Sequence, residues 1–217
     1  MCRSVLSRPL RAQTAAALKR RGIAALLAVL AAGCSSGPAP TTYDLSAPTR
    51  RVRGAIAGQL VVAEPAAVQV LASQKLIVKD ATGSISFLGA GQWADNLPRL
   101  VQARLIHTFE NSSQLRAVAR PSSGAAADVQ LMSEIRSFEI QTPATEAVVQ
   151  ISAKLVSDQS GRILNGRIFT SRVPLAAIDA AHAARALDQA LSIVMLDVVR
   201  WVTGSRFPPR TDESTAS

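Results

Sequence analysis

Few side chains in this 217-residue sequence combine the types and spacings that chemistry requires. Cys34 closes the run Ala31-Ala32-Gly33-Cys34, where small neighbours let an extended backbone lie in a narrow peptidase cleft beside a reactive sulfur. The two histidines, His107 and His182, each stand alone on a segment of helical periodicity, without a second ligand at metal-binding spacing. Gly89 and Gly91 in LGAGQ make a Gly-x-Gly that lacks a third glycine, and a turn is the expectation. Glu134 and Glu139 are candidate paired carboxylates. Five residues apart on a strand they would face opposite sides, so a solvated face is the expected reading. No serine lies in a Gly-x-Ser-x-Gly elbow. Arg50, Arg51 and Arg53 suit plain solubility, with anionic head groups or an acidic partner as the functional alternative. These residues form no catalytic constellation, and no cofactor, metal site or enzymatic activity is expected.

The surroundings of Cys34 give it a role. Arg3, Arg8, Arg11, Lys19, Arg20 and Arg21 precede it and no acidic residue does, so six of the nine net positive charges lie in the leader. A body left near +3 has no phosphate-binding footprint, which argues against a nucleic-acid partner. The apolar stretch of residues 22–32, GIAALLAVLAA, is far short of the roughly 20 residues that span a bilayer, but it suits a secretory signal. Together the basic segment, the short apolar run and Ala-Gly-Cys resemble the lipobox of bacterial lipoproteins. Ala31 stands where the commonest lipobox carries Leu, with Leu30 one step further out. The alternative, a secreted protein with a chance cysteine, needs all these features to coincide. By the resemblance, a signal peptide of residues 1–33 is cut between Gly33 and Cys34, and Cys34 carries a covalent lipid. Cys2 would leave with the leader, so no intramolecular disulfide is expected. Ser35 and Ser36 follow Cys34, and the absence of Asp there favours the outer membrane, facing the periplasm.

Elements to position a surface rather than an active site fill the remainder. Residues 34–42 read as lipidated cysteine and tether, 43–204 as one domain, and 205–217 as a disordered tail. Residues 54–65 and 74–80 read as strands, and 83–89 as a third. Leu97, Val101 and Leu105 share a face of a helix over 97–109, with Asn96 at its N-cap. A short strand is expected over 115–119. Residues 127–140 alternate and then change phase at Phe138, which predicts a bulge or a two-sided strand. The alternation of 148–156, the turn at 157–161 and a return strand over 162–173 make a hairpin. Leu187, Leu191, Val194, Val198 and Trp201 form one stripe of a helix over 176–202, more suited to a core than to a groove. The order predicts an α+β fold: a largely antiparallel sheet covered by two helices, including a long C-terminal amphipathic helix.

Residues 41–202 also resemble the ABC-type transport auxiliary lipoproteins of the PqiC/YmbA type. The likeness lies in Tyr43-x-Leu45, in 60–80, in Trp93 with Leu97 and Leu100, in Asp128-x-x-Leu131 ending at Phe138-Glu139, and in Asp158-x-x-Gly161. Val129 stands where the family often has an aromatic, and Ser73-Gln74 where it usually has Asp-Arg. The resemblance implies a non-enzymatic docking component of a system moving lipids between inner and outer membrane. Its partners would be an MCE-domain protein and an ABC-type permease, with the membrane reached through the lipid anchor and homo-oligomerisation left open. The alternative is a scaffold lipoprotein of outer-membrane assembly or secretion machinery.

Overall fold

The structure is a computed structural model that describes residues 39–52, 58–112, 118–121, 124, 127–142 and 144–205. The leader, Gly33, Cys34, Arg53, most of the expected 115–119 strand and the tail beyond Ser205 lie outside the described residues. The elements are β1 (Thr41–Tyr43), β2 (Leu60–Val62), β3 (Ala66–Ala67), β4 (Lys75–Lys79), β5 (Ile85–Trp93), α1 (Leu97–Ser112), β6 (Val118–Ala119), β7 (Val129–Gln141), β8 (Glu146–Ser157), β9 (Ile163–Pro174) and α2 (Ala180–Gly204).

β7 is the spine of the sheet. On one side it pairs antiparallel with β8 along its whole length, and β8 pairs antiparallel with β9. On the other side β2, β3 and β4 dock in succession, each parallel to β7. β5 then pairs antiparallel with β4, while β1 and β6 add short parallel contacts to β5 and β2. The longest ladders are thus antiparallel, and each parallel ladder joins only two or three residues of either strand.

The phase change in 127–140 is a bulge. Ile135 lies opposite Ile151, but Ser137 lies opposite Gln150, which leaves Arg136 as the extra residue. An extra residue reverses strand parity, so Val129, Leu131 and Ile135 before it and Phe138 and Ile140 after it are all buried. The same reversal puts Glu134 and Glu139 in like phase rather than on opposite sides.

Both helices cover one face. Val101 and Leu105 of α1 and Val194, Met195 and Val198 of α2 converge on Leu131, Ile151 and Ala153 of the sheet. Trp201 meets Phe169 edge to face at 5.6 Å. Leu187, Leu191, Val194 and Val198 are each at most 2% exposed, so the predicted stripe is core. Buried Gln102 donates to the Val62 carbonyl at 2.9 Å, which ties α1 to β2 through a group that strand pairing leaves free.

Three expectations are corrected. LGAGQ is not a turn: Gly89 and Gly91 lie inside β5. A Cβ on Gly91 would come within 2.7 Å of Ala180, and within 2.9 Å of both Leu76 and Tyr43, so the glycine permits close approach. Glu139 is not solvated: it is 4% exposed, accepting from the Phe138 N–H at 2.8 Å and from Gln141 at 3.2 Å. β1 begins at Thr41, within the 34–42 stretch that reads as tether. Finally, α2 starts at Ala180 rather than 176, since the Asp179 carboxylate accepts the His182 N–H at 2.9 Å and fixes the cap there.

Candidate functional site

Residues 41–46 leave the sheet edge and are fastened to both helices. β1 places Tyr43 opposite Trp93 of β5. Asp44 then forms an ion pair with Arg104 of α1, and Leu45 is buried. Ser46 donates its backbone N–H to Asp188 of α2 at 2.7 Å, and its hydroxyl donates to the same carboxylate. The Arg104 hydrogen bond holds the Asp44 carboxyl below its ordinary range, assisted by the Leu45 N–H and opposed by partial burial. Any force applied along the backbone at Thr41 is therefore shared by the sheet and both helices. These pairs join residues far apart in the chain, and nothing local in the sequence announces them.

The motif residues are occupied in building the fold. Trp93 is 1% exposed and meets Phe138 edge to face at 5.7 Å. Leu97 and Leu100 are buried under α1. Asp128 accepts the Gln59 N–H at 2.7 Å and anchors the entry to β2. Asp158 accepts from Gln130, and Gly161 supplies the left-handed φ of +64° that turns β8 into β9. Glu134 pairs with Arg136 on the surface, apart from buried Glu139.

The histidines stay separate. His107 is exposed on α1, with a ring nitrogen 3.5 Å from Arg104, whereas His182 lies 2.7 Å from Asp179 in the first turn of α2. Asp179 is held below the ordinary carboxylate range chiefly by the His182 backbone N–H, then by the His182 side chain. Among the described residues no three His, Cys, Asp or Glu side chains converge as a metal site. Nor is any described helix long and apolar enough to cross a membrane.

Between helices and sheet, described residues such as Val101, Leu105 and Met195 line a void of about 10 Å³. That is the scale of one water and cannot hold an acyl chain. The larger concavities are open and superficial. One, of about 370 Å³, lies on the β7–β8 surface between Met132, Glu134, Lys154 and Ile163. Ile168 of β9 is exposed close by in register, opposite Ser152. Another, of about 640 Å³, lies beside β5 and includes Pro40, Lys75 and Phe87.

Residues 43–199 match the family of ABC-type transport auxiliary lipoprotein components. The chain belongs to this family. It is also 35% identical over 176 residues to the uncharacterized protein bll6063 of Bradyrhizobium diazoefficiens, covering 77% of this chain but 47% of that relative. The chain thus spans about half the length of that curated protein. Among solved structures, the DUF330 protein XCC0632 of Xanthomonas campestris superposes with a TM-score of 0.70 at 26% identity, covering 75% of this chain and 94% of the other. A second, described as an uncharacterized protein, gives 0.61 at 16% identity, over 76% of this chain and 99% of its own. Members of this family are described as auxiliary lipoprotein components of ABC-type transport.

Proposed function

We propose that this protein is a periplasmic docking lipoprotein, moored to the outer membrane by lipid on Cys34, that positions an MCE-type conduit and its ABC permease for lipid movement between the membranes. The observation that carries the reading is the fastening of residues 41–46 to β5, α1 and α2. A moored body that receives a partner must resist tension at its anchor, and this segment joins the anchor side to every layer of the fold. Two or more acyl chains on the first mature residue hold a protein at a bilayer durably, where one is marginal.

The small size of the void that the described residues leave between helices and sheet supports positioning over carrying, because a lipid carrier needs an apolar cavity on the order of several hundred Å³. In this reading the body supplies surface and rigidity, and performs no bond-making step. Crosslinkers at Met132, Ile163 and Ile168, the exposed apolar residues of the β7–β9 surface, place the test where docking is physically favourable. Captured MCE-domain protein is the expected result. Capture of barrel-assembly or secretion components instead would move the protein to another envelope machine. A Cys34→Ser variant should be soluble and fail to support transport, and full transport by that form would contradict the mooring role.

A further inference from the structure

Beside the anchored end, the β4–β5 hairpin leaves apolar side chains in water. Ile85 and Phe87 are 43% and 45% exposed. β1 pairs only with Gly91–Trp93, so among the described residues the Ile85–Ala90 stretch of β5 has no strand on that edge. The Lys75 ammonium lies 4.3 Å from the centre of the Phe87 ring, and Lys79 stands directly across from Ile85. Lys75 is the sole charged residue lining the adjoining groove of about 640 Å³. Asp80 at the hairpin tip is turned to its own loop: Thr82 donates its hydroxyl and N–H to it, and Ser84 its N–H. The outward character is therefore apolar and cationic.

The route of the chain says what meets this surface. β1 runs parallel to β5, so the polypeptide reaches Thr41 from the Phe87 end of β5, and Pro40 lines the same groove as Phe87. Six residue steps separate Pro40 from Cys34, and at full extension they reach about 20 Å. We infer that the Ile85–Phe87 edge, with Lys75 and Lys79, rests on the anionic phospholipid surface of the membrane that holds the lipid of Cys34. This rests on the lipid-anchor reading above. Aromatic and aliphatic side chains enter the head-group region while flanking lysines meet lipid phosphates, the combination that interfacial binding requires. Contact at this edge fixes the orientation of the body, so the β7–β9 surface takes a defined aspect to the membrane instead of swinging on its tether.

The lipidated chain, reconstituted in phosphatidylethanolamine/phosphatidylglycerol vesicles, tests this with an environment-sensitive fluorophore at Ile85→Cys and, as control, at Ser160→Cys in the β8–β9 turn. Nitroxide-bearing lipids should quench the label at 85 and spare the label at 160, with weaker quenching when neutral lipid replaces phosphatidylglycerol. Lys75→Glu should lower the bound-to-free ratio of the hairpin at least about fivefold, because one cation near an anionic leaflet is worth roughly that factor. Phe87→Ser should act in the same direction. Equal, aqueous-like signals at both positions on vesicles that carry the protein would overturn the contact alone. Failure of the protein to float with the vesicles would overturn the anchor and the contact together. Equal shielding at 85 in the vesicle-free Cys34→Ser chain would also overturn it, by assigning the groove to the tether or, if concentration-dependent, to a second copy.

Discussion

Within one sheet, β7, β8 and β9 run for 13, 12 and 12 residues, whereas β1, β2, β3 and β6 run for two or three. The long meander is closed by short turns and needs only local alternation to find its register. The short flank is assembled from strands that meet partners far along the chain, such as Leu60 with Val129 and Thr41 with Gly91. It holds by side-chain contacts at a few points, because two or three ladder bonds do not fix a strand. Residues 41–46 lie on this flank beside the β4–β5 hairpin with its exposed Ile85 and Phe87, and Met132, Ile163 and Ile168 are exposed on the meander. In the proposed function the first half is held and the second presented.

The comparison breaks first at Trp93. Its side chain is buried against Phe138 and lies opposite Tyr43, so Trp93→Ala should cost about 3–5 kcal/mol in denaturant unfolding. Native-state hydrogen exchange on this variant should show β1 opening before β8. Gly91 is the next point: Gly91→Val must displace Ala180, Leu76 or Tyr43, with an expected loss of about 1–3 kcal/mol by the same measurement. On the meander, Gly161→Ala meets no neighbour within 4 Å but strains a φ of +64°, and about 1 kcal/mol should be lost.

The smallest effect is at the Asp44–Arg104 pair, whose side chains are 55% and 22% exposed, so Asp44→Asn should cost no more than about 1 kcal/mol at neutral pH. Its sign with pH is defined. The folded Asp44 titrates below its ordinary value of 3.8, so its contribution is complete above that value and is lost as pH falls through the folded one. Unfolding measured through that window should show a shallower acid loss for Asp44→Asn than for the parent chain.

What could be read from the sequence follows the same division. Val149, Ile151, Ala153 and Leu155 alternate, Ser157–Gly161 turns, and the stripe from Leu187 to Trp201 repeats, so the meander and its covering helix are legible from neighbours alone. Even the bulge at Arg136 leaves a trace, as a phase change in buried residues. Gly91 was open to misreading as a turn residue because its three crowding partners lie at positions 43, 76 and 180. Glu139 reads as solvated because its burial depends on packing that alternation does not encode: the bulge puts it in phase with exposed Glu134, yet it is 4% exposed. The fastening of Asp44 and Ser46 to α1 and α2, and the open edge at Phe87, exist only once the chain is folded. They carry no local pattern.

The proposed mooring at Cys34 is open to a direct measurement. Intact-mass analysis of the protein extracted from its native membrane should show a chain beginning at Cys34, heavier than its residues by a diacylglyceryl thioether and an N-acyl group. A free thiol at Cys34, or a chain still carrying residues 1–33, would contradict it.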